Sequence, residues 1–296
     1  MKQILLSIRM LLRFKVYTFI NFTGLVFSIS CALIIARYIH QENNVDHFCP
    51  ELERTFLMTT VMDNGQTYLS GSIDPNKDPN YRNPLSDPCV EKVSQFMLFS
   101  DDYVIVDGRR FTVQAMATDS LYLDMMPHPV IAGKHTLNTP NDAIITYKLA
   151  KRLFKNENPI GKTLKVSTGD VVTVTGVIDE PSTKASVQFE IIISKNLRNS
   201  WSRMASELVQ LHRAEDVTEL NKKNQKPMEL LAYGKRPIFY QLTSLKDFYM
   251  NHNLLVYDKV LRGNRTSLSI LTIVAILLLL VGIFNYVNLH TVVMLR

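Results

Sequence analysis

Two long apolar runs bracket this chain, Val16 to Ile39 near its start and Leu268 to Leu289 near its end. Each exceeds the roughly 20 residues that a helix rising 1.5 Å per residue needs to cross a hydrocarbon core about 30 Å thick. The sequence therefore reads as a membrane protein with a large loop between two spans. A cleaved signal peptide has an apolar region of only about 7 to 15 residues, and the first run is longer. Ser28-Ile29-Ser30-Cys31 faintly resembles a lipoprotein processing site, but the apolar run continues through Ala32 to Ile39, where a lipoprotein turns polar. A buried core helix is a poor account of the second run, because Leu277 to Leu280 sit in an almost uniformly apolar stretch.

Charge placement orients the spans, since short flanking segments rich in Lys and Arg stay cytoplasmic. Lys2, Arg9, Arg13 and Lys15 precede the first span with no acidic residue among them, and Arg296 follows the second. Both termini are expected in the cytoplasm, with residues 40–266 outside it. All 27 Asp and Glu lie between Glu42 and Asp258, matched by 27 of the 33 Lys and Arg, so the loop is formally neutral. The formal charge of +6 belongs to the segments flanking the membrane, which removes the basis for a nucleic-acid-binding surface.

Residues 1–15 read as a cytoplasmic amphipathic helix. Ile4, Leu5, Ile8, Leu11 and Leu12 form its apolar face, suited to the inner membrane surface or a cytoplasmic partner. The spans are set at 16–39 and 267–290, leaving 291–296 as a cytoplasmic end. In the first span, Gly24, Ser28, Ala32 and Ala36 recur every fourth residue along one stripe. Such stripes let two helix backbones approach closely, although small residues are common in spans for other reasons. Asn285 and Asn288 near the inner end of the second span raise the same possibility of helix packing, because polar side chains are costly against lipid.

Between the spans the pattern is mixed, and we expect an α+β extracytoplasmic domain between two transmembrane α-helices. Strand-like runs occur at 55–62, 103–106, 111–117, 142–146, 163–166, 171–178, 187–193 and 238–242, and helical ones at 121–126, 147–154 and 197–213. Asp107-Gly108 and Thr168-Gly169-Asp170 supply turn chemistry between strands. Residues 71–88, rich in Pro, read as a surface loop, and the polar stretch 213–227 as a mobile loop or helix end separating two lobes. Cys49 and Cys89 would face an oxidising compartment where a disulfide can form, but nothing in the sequence sets their separation.

Catalytic, cofactor and metal chemistry is not indicated. Gly161-Lys162-Thr163 ends like a phosphate-binding loop, yet Asn156 stands where that motif needs its first Gly. The seven His form no metal-spaced cluster, and His128, between Pro127 and Pro129, reads as a turn residue. No Ser has the context of a nucleophile elbow. The sequence is accordingly expected to encode no enzyme, with no catalytic, cofactor-binding or metal-binding residue.

Ordered landmarks nevertheless carry a resemblance. Asn141-Asp-Ala-Ile-Ile-Thr-Tyr-Lys-Leu-Ala-Lys-Arg-Leu-Phe154, Asn158-Pro-Ile-Gly-Lys-Thr-Leu164 and Val172-Thr-Val-Thr-Gly-Val-Ile-Asp179 follow one another. Around them stand Ser7-Ile-Arg-Met-Leu-Leu-Arg-Phe-Lys15, Phe19-Ile-Asn-Phe-Thr-Gly-Leu25, Glu42 to Phe48 with its Asp46, Gly263-Asn264, and Asn285-Tyr-Val-Asn-Leu289. Together they resemble the MacB/FtsX-type permeases of ABC transporters. The resemblance implies a permease subunit of the bacterial inner membrane that performs no chemistry itself. A separate cytoplasmic ABC ATPase would drive it, the spans would act as levers in the lipid bilayer, and residues 40–266 would engage a periplasmic or outer-membrane partner or cargo. It also implies a two-lobed domain and a dimer of permeases. Relatives continue past the second span with further transmembrane helices, whereas Arg296 ends this sequence. A fragment of a longer product is expected, the alternatives being a split permease completed by another segment and a remnant. The rival from a different class is a membrane-anchored ligand-binding sensor without catalytic activity.

Overall fold

The computed structural model describes residues 15–69, 83–197, 205–229, 234, 236–255 and 260–294. The expected amphipathic helix over 1–15 and most of the 71–88 loop lie outside these residues. Helix α1 (Lys15–Asn43) is followed by β1 (Thr55–Met62), β2 (Thr67–Leu69), β3 (Val90–Val106), β4 (Arg109–Thr118) and α2 (Leu121–Met125). Then come β5 (Val130–Gly133), β6 (Asp142–Thr146), α3 (Tyr147–Phe154), β7 (Thr163–Val166), β8 (Val171–Ile178) and β9 (Ile191–Ser194). The chain continues through β10 (Ser206–Leu211), α4 (Asp216–Asn224), β11 (Met228–Glu229), β12 (Pro237–Ser244), α5 (Leu245–Phe248), β13 (Leu254–Leu255) and α6 (Arg265–Met294). Residues up to Asn44 and from Gly263 onward form one compact unit, and Val45–Arg262 form another.

In the first unit, α1 and α6 are both long and apolar enough to cross a membrane. They run antiparallel: the Gly24 backbone faces Asn285, and Gly282 faces Ser28 and Leu25. The better covered positions of α6, Leu271, Ala275, Leu278, Gly282 and Asn285, step by four, three, four and three residues. That is the seam spacing of two helices packed at a shallow angle. The opposite sides carry Phe19, Phe22, Phe27, Leu33, Ile34, Ile276, Leu280, Ile283 and Phe284, all exposed. A hydrocarbon solvent makes such a surface stable, as water does not.

The second unit is built around strand closure. β3 pairs with β4, β4 with β9, β9 with β6, β6 with β8, β8 with β7, and β7 returns to β3, so six strands form a ring. A ring has no free edge on those strands, and period-two alternation sends every second side chain inward. Val104, Val106, Val113, Ala115, Ala143, Ile145, Leu164, Val166, Val172, Val174, Ile191 and Ile193 supply the filling. Helix α3 adds Leu149, Ala150 and Phe154 to it. Its first turn is capped by the Thr146 hydroxyl, which accepts from Leu149 N at 3.3 Å. Between Val174 and Gly176 the pairing with β6 skips Thr175, so Val177 rejoins the inward set.

The outward residues of the same strands, Met116, Ile144, Ile178 and Ile192, are also buried, in a second cluster with Leu57, Phe96, Tyr122, Phe189, Leu208 and Phe248. A third cluster, between α4 and the far face of β1, β10 and β12, holds Phe56, Val209, Leu220, Ile238 and Tyr240. One sheet path runs from β11 to β5 through all three. The three clusters therefore lie along one sheet, in which β3 carries a bulge between Phe99 and Asp102.

The observed architecture is the mixed α and β domain flanked by apolar helices that the sequence implied. One assignment needs correction. The helix expected over 197–213 contains strand β10 at Ser206–Leu211, all six residues buried. Covered on both faces, it loses the alternation that identifies a strand, and its apolar spacing fits a helix equally well. Its buried polar groups are bonded across the sheet: Gln95 Nε2 donates to Glu207 Oε1 at 3.0 Å and Gln210 Nε2 to Glu91 Oε2 at 3.2 Å. Of the two readings of the polar stretch 213–227, a mobile loop or a helix end, the helical one fits: it contains helix α4, anchored by Leu220 and by Asn221, which bonds both the N–H and the carbonyl of Leu242.

Candidate functional site

The residues by which the chain enters and leaves the second unit converge on one short strap, Thr183–Ser186, between barrel strands β8 and β9. On the incoming side, Asp46 is fully buried and sits at φ +63°. This left-handed conformation is costly for most residues and tolerated by Asp and Asn. Asp46 N donates to Lys184 O at 2.8 Å, and Asp46 Oδ1 accepts from Ser186 N at 2.8 Å. Two residues on, Phe48 N donates to Thr183 Oγ1 at 3.1 Å. The Phe48 ring meets His128 edge-on at 5.4 Å, and His128 in turn packs on Phe189 at 5.2 Å.

On the outgoing side, Leu261 N donates to Ser186 O at 2.9 Å. Ser186 is thus bonded through its N–H to the incoming segment and through its carbonyl to the outgoing one. The next residue, Arg262, donates to the carbonyls of Phe248, Asn251 and Leu254, each at 2.6 Å, and its guanidinium lies 4.7 Å from the Phe248 ring centroid. Lys184 Nζ donates to Tyr249 OH at 2.8 Å. Both ends of the unit are therefore clasped to a segment that runs directly into two barrel strands. Two of these bonds, Asp46 N to Lys184 O and Leu261 N to Ser186 O, join backbone to backbone, and the others use the side chains of Asp46, Thr183, Lys184 and Arg262.

The electrostatics of the clasp follow from its dryness. Burial pushes the Asp46 carboxyl up to about 6, against the lowering effects of the Ser186 groups and of His47. Its second oxygen, Oδ2, and the Ser186 hydroxyl are both buried without a hydrogen-bond partner of ordinary geometry. Burial also raises the Cys49 thiol and the Tyr122 phenol, and lowers His128, which keeps a bond from Nδ1 to Met126 O at 2.9 Å. His128, expected as a turn residue, is thus part of the buried aromatic packing. Asp46 is the carboxyl of this neighbourhood that burial carries toward neutral pH.

Elsewhere the structure separates the residues singled out from sequence. Gly24, Ser28 and Ala32 lie along the side of α1 that meets α6, with Asn285 over Gly24, whereas Ala36 and Asn288 are exposed. Cys49 and Cys89 are free thiols, packed against different apolar clusters, with no bond between them. Gly161-Lys162-Thr163 forms a turn in which Gly161 N donates to Val174 O and Lys162 pairs with Glu157, so its groups are engaged by the protein. Among the described residues no group of His, Cys, Asp and Glu is arranged to hold a metal ion. Ser186, Leu261 and Arg262 had no mark in the sequence, since their contribution is backbone pairing or carbonyl binding between distant segments.

A family model described as MacB-like periplasmic core domain matches residues 18–225. Among solved structures, a domain of a protein assigned as a permease in Porphyromonas gingivalis aligns at TM-score 0.52 and 17% identity, over 66% of this chain and 92% of that one. The periplasmic region of MacB from Actinobacillus actinomycetemcomitans aligns at 0.43 and 18%, over 64% and 88%. The extracellular domain of the noncanonic ABC-type transporter YknZ from Gram-positive bacteria aligns at 0.45 and 16%, over 64% and 99%. No curated protein sequence matches the chain.

Proposed function

This chain belongs to the family of MacB/FtsX-type permeases with a MacB-like periplasmic core domain, and from that premise we propose that it relays motion from a separate cytoplasmic ATPase to its extracytoplasmic domain. It is a membrane protein with a periplasmic-type domain, of the class found in ABC-transporter permeases. In the proposed reading both termini lie in the cytoplasm, α1 and α6 cross the bilayer as an antiparallel pair, and Val45–Arg262 lie outside. Work comes from the ATPase, and this chain contributes no catalytic group. The small residues Gly24, Ser28 and Ala32 keep the two helices close enough to move together, and the exposed Ala36 and Asn288 are left for further transmembrane segments or a second copy.

The clasp is the observation that carries the reading. A sensor needs only one end of its ligand domain coupled to the membrane, but here both chain ends are bonded to the same strap. A displacement of either helix is delivered to β8 and β9, whose closed barrel moves as a body because it has no edge to slip. The proposed output is a shift of the domain against a periplasmic or outer-membrane partner or cargo.

Affinity purification of the tagged chain from detergent extracts tests the assignment. A copurifying ABC ATPase, together with labelling of Asn156→Cys by a membrane-impermeant thiol reagent from outside the cell, is the expected result. Labelling of that position only from the cytosolic side, or purification without an ATPase, would overturn it.

A further inference from the structure

We propose that the Asp46 carboxyl is a proton-operated latch of the clasp: protonated, it holds the incoming segment to the Thr183–Ser186 strap, and ionised, it releases it. The inference rests on the relay reading for its purpose, but not for its chemistry. A fully buried carboxylate needs several hydrogen bonds or a contacting cation to offset its lost hydration. Asp46 draws its donors from one residue: Ser186 N on Oδ1 at 2.8 Å, and the Ser186 hydroxyl, which approaches the carboxyl without the geometry of an ordinary hydrogen bond. The neutral acid suits the same place better. Its proton would be shared with the Ser186 hydroxyl, which is buried beside the carboxyl and has no other partner.

The titratable groups facing Asp46 come from its own segment, from α2 and from the strap. His47, on its own segment, is exposed and favours the ionised form only through space. Cys49 and Tyr122, which face it from the same segment and from α2, are held protonated by burial. His128, behind Phe48, has its pKa lowered by burial. Lys184, on the strap, directs its ammonium to Tyr249 OH.

Released into water, Asp46 returns to an ordinary carboxylate value near 3.8, against about 6 in the closed clasp. Opening is therefore favoured as pH rises, by about tenfold between pH 5 and pH 8 through proton linkage. An extracytoplasmic clasp would accordingly be firm at the acidic side of neutrality and looser at the alkaline side, tuning how stiffly the helices are joined to the barrel.

Hydrogen–deuterium exchange on the full chain in lipid nanodiscs, corrected for intrinsic amide rates, reads the latch directly. In the wild type, protection of the peptides containing Ser186 and Leu261 should fall about tenfold from pH 5 to pH 8. In Asp46→Asn, which keeps the acceptor and cannot ionise, it should be flat. Parallel pH profiles in the two proteins would overturn the proposal. Should the variant not fold, infrared titration of the wild type decides: a buried carboxylic-acid band must lose intensity with a midpoint near pH 6, and its absence between pH 5 and pH 7 refutes the latch. Neither readout involves the ATPase. A failed relay with an intact titration would overturn the functional reading alone, and the converse result would overturn the latch alone.

Discussion

Removing the Arg262 guanidinium should loosen the outgoing half of the clasp by an amount the geometry allows to be worked out. Its three bonds, to Phe248 O, Asn251 O and Leu254 O, are charge-assisted and half-buried, with no acid taking part in them. A hydrogen bond from a charged donor contributes roughly 1.5–3 kcal/mol net when sheltered. Three of them, discounted by about half for the exposed part of the site, give about 3 kcal/mol. Packing on Phe248 is largely kept by a Met side chain, so Arg262→Met isolates the loss of the fork. For a unit the size of Val45–Arg262, roughly 3 kcal/mol corresponds to a fall in Tm of about 6–12 °C. Arg262→Lys, with one compact charge in place of the planar fork, should recover about a third. Thermal unfolding followed by circular dichroism in detergent, with exchange of the 245–255 amides as the local readout, measures both variants. An Arg262→Met protein within 2 °C of the wild type, or a Lys variant as stable as Arg, would refute the assignment of this residue as an anchor.

Three further outcomes follow from the geometry. A Cβ on Gly176 would lie 1.9 Å from Lys134 O, backbone that cannot yield, so Gly176→Ala should cost more than about 3 kcal/mol and lower Tm sharply, whereas Gly161→Ala, with open space, should cost only its strained φ. A Cβ on Gly282 would stand 3.3 Å from Ser28 Cβ, so Ser28→Cys with Gly282→Cys, on a Cys31→Ser background, should form a spontaneous crosslink visible as a mobility shift on non-reducing gels. Burial depresses the folded pKa of His128, so its contribution is complete above about 6.5 and is lost as the pH falls below that value. His128→Gln should therefore flatten the fall of Tm on acidification, while Asp46, with a raised folded pKa, works in the opposite direction over the range from about 6 down to 3.8.

Local chemistry made much of this architecture legible. The runs at 55–62, 142–146, 147–154, 163–166 and 171–178 match β1, β6, α3, β7 and β8 residue for residue, because each is bounded by a turn or cap whose signal lies in neighbouring residues. Asp107-Gly108 adopts positive φ at both positions, as a two-residue hairpin turn requires. What escaped was non-local. Strand β10 is buried on both faces, so its periodicity is erased. The first half of β3 carries Glu91, Ser94 and Gln95, whose polar groups are met by Arg54, Asp119 and Glu207, all distant in sequence. Ring closure depends on two residue pairs between β3 and β7, which no pattern within either strand announces. The clasp is the extreme case, since its central bonds use the backbone N–H and C=O of Ser186, groups that every residue but proline possesses. Asp46 stood out as a landmark, but its burial and its partner could be found only in three dimensions.

The account's central claim is that movement of the two helices reaches the barrel through the Thr183–Ser186 strap. Its most direct test is hydrogen–deuterium exchange of the nanodisc-reconstituted chain with its ATPase, compared between the nucleotide-free state and a trapped ATP state. Protection at Asp46, Ser186 and Leu261 is expected to change together by several-fold, while the barrel interior at Val172 and Val174 stays constant. Unaltered exchange at all three clasp amides across the nucleotide cycle would contradict it.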